Sequence, residues 1–204
     1  MSSPSAVELA GLHHVAGWIR DEVDESGHLI GRAVGLHPAF DESDEIASAM
    51  LRRLVVFGAR DGARDAGLTP TPAYSGLDLV WSEEGVYRKY RIKKARKGRS
   101  GTFEMLVGPN SVLFQPQPES LLGEEQWVLG YTVTPAGDID EVFASRVVGV
   151  TNHKVPQLIL GTVILLGTGP TPPTGRKFTS DDEDFLPGFE DDVADEGGAA
   201  GSAA

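Results

Sequence analysis

The sequence predicts an α+β protein whose N-terminal helices pack on one face of a curved antiparallel β-sheet of about six or seven strands. Three observations support this fold class. Apolar residues recur at helical spacing early in the chain, short β-rich runs follow, and the last residues are acidic and lack periodicity. The 204 residues are therefore predicted to form one domain over 1–167 (helical over 5–67, β-rich over 76–167), a Pro/Gly-rich linker over 168–180 and a disordered acidic tail over 181–204.

The start of the chain is predicted to be helical. In residues 5–24, apolar side chains recur at helical spacing and form one stripe, whose members are Leu12, Val15, Ala16, Ile19 and Val23. Residues 28–40 are ambiguous, because Gly31 and Gly35 weaken a short helix there.

A longer helix is predicted to begin at Asp41 and to end near Gly67. Asp41 is a candidate N-cap, and the acidic residues after it suit the positive end of the helix dipole. The apolar row of this helix is predicted to be Ile46, Met50, Leu54 and Phe57, with Ala47, Leu51 and Val55 beside it. Pro70 and Pro72 follow Gly67 and indicate that helical structure ends there.

The rest of the domain is predicted to form the sheet. Turn residues divide it into β-rich runs, and the predicted strands are Leu77–Ser82, Val86–Ala95, Thr102–Val107, Val112–Phe114, Gln126–Thr134, Ile139–Val150 and Leu158–Leu166. Short turns between successive strands favour antiparallel pairing. One face of such a sheet is expected to be free for a ligand.

Charge is distributed unevenly along the chain. Nine acidic residues lie between Asp181 and Ala204, and without them the formal charge of −12 becomes about −3. Eight of the 18 Lys and Arg residues lie between Arg88 and Arg99. The predicted domain is therefore nearly neutral, with its positive charge concentrated on one strand and the loop that follows it.

This basic segment is predicted to bind nucleic acid. Side chains alternate along a strand, so one side of Val86–Ala95 carries only Tyr87, Lys89, Arg91 and Lys93 and is expected to face solvent. Tyrosine rings can stack on bases, and the cations between them can bind the phosphates of the backbone. The predicted contact residues are Tyr87, Arg88, Lys89, Arg91, Lys93, Lys94, Arg96, Lys97 and Arg99. The alternative is a solvated face or an edge strand that lysines protect from pairing.

The acidic tail is predicted to modulate this binding or to dock on a protein partner. It carries Phe185, Leu186 and Phe189 among its carboxylates, and segments of this composition can become ordered on binding. In composition the tail resembles that of single-stranded-DNA-binding proteins, which also end in an acidic segment with an apolar tip. A tail that only keeps the protein soluble is the alternative.

Several other chemistries are excluded or poorly supported. The chain has no cysteine, and its five histidines (His13, His14, His28, His37 and His153) show no metal-binding spacing. A metal-dependent nuclease would need Asp78, Glu104 and Lys93, yet Arg91 stands where that motif has its second carboxylate. Neither a metal nor a cofactor is predicted.

The sequence thus predicts a soluble, cytoplasmic, non-enzymatic protein that binds DNA or RNA through the basic strand. A structural or protein-interaction role, as an assembly subunit or regulator, is the second hypothesis, and a nuclease is the third. Residues 1–10 do not have the composition of a signal peptide, and the longest apolar run, in residues 155–167, is too short to cross a membrane.

Overall fold

The computed structural model confirms the predicted α+β class, with N-terminal helices packed on a six-stranded, mostly antiparallel sheet. The structure describes residues 3–73, 76–83, 85–98, 101–107, 124–152 and 154–167. The predicted linker and acidic tail lie outside these ranges, as does the predicted strand Val112–Phe114.

The helices are α1 (Ala6–Ser26), α2 (His28–Val34), α3 (Pro38–Asp41) and α4 (Glu45–Asp65). The apolar stripe predicted for α1 is confirmed, since all five of its members are buried. α1 begins with a capping box: the Ser5 hydroxyl accepts from the backbone N–H of Glu8, and the Glu8 carboxylate accepts from that of Ser5. α4 packs closely on α1, because a Cβ at Gly62 would lie only 2.9 Å from Trp18 Cβ.

The predicted start of the long helix at Asp41 is wrong. Asp41 is the last residue of α3, whose proline at the first turn is preset for a separate helical turn, and α4 begins at Glu45. The core-facing row of α4 also differs from the prediction. The buried residues are Leu51, Val55, Val56, Gly58, Ala59, Gly62 and Ala63, whereas Ile46 and Phe57 are exposed. Four of these seven residues are glycine or alanine because α1 approaches this face closely.

The main sheet has the strand order β1-β2-β3-β6-β7-β8. Its strands are β1 (Thr69–Ala73), β2 (Gly76–Glu83), β3 (Val86–Lys94), β6 (Glu124–Val133), β7 (Ile139–Val150) and β8 (Leu158–Leu166). β3 and β6 pair in parallel, and the other pairs are antiparallel. The long connection between these two strands permits the parallel pairing, which a tight hairpin turn could not make. β4 (Arg96–Lys97) and β5 (Phe103–Glu104) form a separate two-stranded sheet.

Strand β1 is absent from the prediction, which assigned its two prolines to the end of a helix. In the structure Pro70 and Pro72 lie in β1, which pairs with β2 at an edge of the main sheet. An edge strand tolerates proline because one side of its backbone needs no hydrogen-bonding partner.

Both faces of the main sheet carry apolar clusters. The helices cover one face. In a second cluster, Ala95, Met105 and Val107 pack with Val128 of β6, Phe143 of β7 and Leu158 of β8. The expectation of a free sheet face is therefore wrong for this half of the sheet. Within the described ranges, no helix combines the length and the apolar character needed to cross a membrane.

Candidate anion-binding site at the end of the basic strand

The basic strand β3 lies inside the main sheet, between β2 and β6. The alternative that its lysines protect an exposed edge is therefore wrong. Its predicted solvent-facing residues, Tyr87, Lys89, Arg91 and Lys93, are all only partly exposed.

Arg88 contributes to the core and has almost no exposed surface. Its side chain is 4% exposed, with Nη1 2.5 Å from Glu8 Oε2 and Nε 2.8 Å from Glu125 Oε2. Tyr90 donates its hydroxyl proton to the other oxygen of Glu8 at 2.6 Å. Burial disfavours the charge on Arg88, but its hydrogen bond to Glu125 and the charge of Glu8 outweigh burial and raise its pKa. Arg88 is thus a structural residue that joins α1 to β3 and β6.

Lys89 and Arg91 share one carboxylate. Arg91 donates two hydrogen bonds to Asp78, one of them from Nη2 to Oδ2 at 2.9 Å, and Lys89 Nζ lies 3.8 Å from Oδ2. Because two cations neutralise Asp78, this carboxylate is poorly placed to hold a metal ion as a nuclease would require. No group of three or more His, Asp or Glu side chains in the described part of the chain is arranged to bind a metal.

The end of β3 adjoins a cavity of about 340 Å³ whose charged groups are all positive. It is lined by Ser48, Ala49, Arg52, Arg91, Ile92, Lys93, Lys94 and Tyr131. Arg52 comes from α4, and the other three cations come from β3. We call these four cations the anion site. In the described part of the chain, Arg52, Lys93 and Lys94 form no ion pair with a carboxylate.

The pKa of Lys93 shows how the surrounding charges act on this site. Burial lowers the pKa of Lys93, and the positive charges of Arg91 and Arg52 lower it further. Burial also raises the pKa of Tyr131 to about 12, so the phenol stays neutral at physiological pH. Arg52, Lys93 and Lys94, which have no carboxylate partner in the described structure, repel one another, and a bound anion would relieve that repulsion.

The remaining predicted contact residues are less suited to binding. Arg96 and Lys97 are exposed on β4, but Lys97 Nζ lies 3.1 Å from Asp140 Oδ2 and 2.9 Å from Glu141 Oε2. These hydrogen bonds raise the pKa of Lys97. Arg99 and the tail residues Phe185, Leu186 and Phe189 lie outside the described residues.

Arg52 is the member of the site that the sequence analysis missed. It is an exposed arginine in the middle of α4, and nothing in the sequence relates it to a strand that begins more than thirty residues later. Only the packing of α4 beside the end of β3 brings it to Lys93. No protein-family model, curated protein or solved structure matches this chain.

Proposed function

We propose that this protein is a non-enzymatic nucleic-acid-binding protein that holds phosphate at the anion site. One observation carries the proposal: four cations surround a cavity that no carboxylate lines. Arginine offers a planar fork and lysine a compact charge, and both bind phosphate oxygens through strong charge-assisted hydrogen bonds. Arg96 is also exposed and follows β3 directly, so a bound strand has a further cation within the same segment.

The proposal changes the contact set predicted from the sequence. It keeps Arg91, Lys93 and Lys94 and adds Arg52. Arg88 is left out because its charge is buried between two carboxylates. Tyr87 is retained as a stacking surface, since its ring is partly exposed.

Fluorescence anisotropy with labelled single- and double-stranded DNA and RNA tests this proposal. Three phosphate contacts should lower the affinity for a single strand about 20-fold when the salt concentration rises fourfold. Replacing the two exposed cations, Arg52→Ala with Lys94→Ala, should weaken binding and flatten this salt dependence. Both side chains are exposed, so the fold should tolerate the change.

The matched control is Arg53→Ala with Arg60→Ala, which removes two exposed cations of α4 that do not line the cavity. The control should leave affinity and salt dependence close to those of the unchanged protein. Equal losses in both double variants, or no binding of any nucleic acid at low salt, would refute the proposal.

We also propose that the acidic tail modulates this binding. Residues 181–204 carry nine acidic side chains and no basic one, so the tail is a polyanion that can compete with nucleic acid for cations. Removing residues 176–204 should therefore tighten binding, most strongly at low salt. Unchanged affinity after truncation would argue against competition.

A self-assembling structural protein is the second candidate function. Exposed apolar side chains near α2 and α3 favour it, because Leu29, Leu36 and Phe40 are 47%, 79% and 41% exposed. Light scattering should then show an oligomer that Leu36→Glu dissociates. A monomer at the highest soluble concentration would exclude this role.

A further inference from the structure

A second and larger cavity adjoins the anion site. Its volume is about 680 Å³, and it shares Ser48 and Lys94 with the smaller cavity. Its walls come from the end of α1, from α2, from the start of α4 and from the turn between β6 and β7. The two cavities are therefore neighbours, with Ser48 and Lys94 in the lining of both.

The two cavities have opposite charge. The charged side chains that line the smaller cavity are all cations, whereas in the larger one Asp24, Asp44 and Asp138 outnumber Lys94. In the part of the chain that the structure describes, these three carboxylates form no ion pair. Apolar residues lie among them, namely Val23, Ile30, Leu51, Val133, Pro135 and Ala136. A ligand that fits both cavities is anionic at one end, and has an apolar body with hydrogen-bond donors at the other.

We infer that the two cavities together bind one nucleotide unit, with its phosphate in the anion site and an amino-bearing base in the larger cavity. This inference rests on the proposed function and makes it more specific: the ligand is one nucleotide, and not several phosphates along a strand. Cavities of about 300–1,000 Å³ are usual for small-molecule sites. Adenine, cytosine and guanine carry amino groups that donate to carboxylates, whereas uracil and thymine have a carbonyl acceptor in place of cytosine's amino group.

Two sources can supply such a unit: a free nucleoside monophosphate, or the phosphorylated end of a strand. Both present one phosphate beside one accessible base. An internal nucleotide of a strand differs, because its phosphates continue on both sides and its base is held among neighbouring bases.

Isothermal titration calorimetry of the full-length protein with CMP and UMP tests the inference. C4 of the base carries an amino donor in CMP and a carbonyl acceptor in UMP, and the adjacent N3 carries a proton only in UMP. CMP should bind at least tenfold more tightly than UMP and than inorganic phosphate. Asp44→Asn with Asp138→Asn should remove the preference for CMP while binding of inorganic phosphate remains. Asp44 is suitable for this change because its side chain makes no capping hydrogen bond to α4. Asp21→Asn, an exposed change on α1 outside the cavity, is the matched control and should keep the preference.

Oligonucleotides with and without a terminal phosphate distinguish the two sources. Tighter binding of the phosphorylated strand supports a strand end as the ligand, and equal binding alongside tight CMP binding supports a free nucleotide. If CMP and UMP bind equally, the inference is overturned, while nucleic-acid binding that depends on Arg52 and Lys94 keeps the proposed function. If neither mononucleotides nor nucleic acids bind, the proposed function itself fails.

Discussion

Replacing Glu8 with alanine tests whether the buried ion pair with Arg88 holds α1 on the sheet. Glu8 is fully buried and accepts from Arg88 at 2.5 Å and from Tyr90 at 2.6 Å, so its removal leaves a buried cation and a buried hydroxyl without that partner. Breaking a buried ion pair in this way costs about 3–5 kcal/mol. For a protein of this size, a loss of that magnitude lowers the melting temperature by about 6–20 °C.

Urea unfolding followed by far-UV circular dichroism measures this loss. Asp21→Ala is the control, because Asp21 is exposed on the same helix, and its replacement should change stability by less than about 0.5 kcal/mol. Arg88→Met combined with Glu8→Ala should cost less than the two single changes added together, because each single change already removes the interaction between these two side chains. Equal stability of the Glu8→Ala and Asp21→Ala variants would show that the ion pair does not stabilise the fold.

Two further predictions concern close packing and alkaline pH. Gly130→Ala should destabilise the protein by about 1–3 kcal/mol in the same urea assay, because the new Cβ would overlap the ring of Phe143. Gly17→Ala is the control and should be neutral or stabilising, because nothing lies within 4 Å of the new Cβ. A Gly130→Ala variant as stable as the unchanged protein would contradict the close packing of Gly130 on Phe143. Burial raises the pKa of Tyr131 to about 12 and also raises that of Tyr90. The folded state thus favours the neutral form of both phenols. Their contribution to the free energy of unfolding is present in full below pH 10, the usual tyrosine pKa, and is lost as the pH rises towards 12. Tyrosinate absorbance and the unfolded fraction should therefore rise together. Ionisation of both buried phenols in a folded protein would refute this.

Local patterns predicted those elements whose signals lie in neighbouring residues. The bounds of β7 and β8 match the predicted Ile139–Val150 and Leu158–Leu166, because turn residues flank both runs of β-forming side chains. The same local rules failed at Pro70 and Pro72. There the edge position in the sheet decides the structure, and that position depends on where β2 lies.

The anion site was predictable in part, namely where its residues are neighbours in the sequence. A cluster of Lys and Arg on a strand is visible in the sequence, and Lys93 and Lys94 do lie at the anion site. Alternation along the strand also places Arg88 on the side opposite to Lys89 and Arg91, and the structure buries it. Its partner Glu8 precedes it by eighty residues, and no local rule connects two residues so far apart.

The cations of β3 and of the adjacent α4 form two groups, those with a carboxylate partner and those without one in the described structure. Arg88 and Arg91 have carboxylates from α1, β2 and β6 as counter-charges, so the fold itself accounts for them. For Arg52, Lys93 and Lys94 the described structure offers no such partner. Burial, followed by the positive charges of Arg91 and Arg52, lowers the pKa of Lys93, so keeping this side chain charged in its place costs free energy. Since the described structure places these three cations together without a carboxylate partner, they are the residues on which the proposed phosphate binding rests.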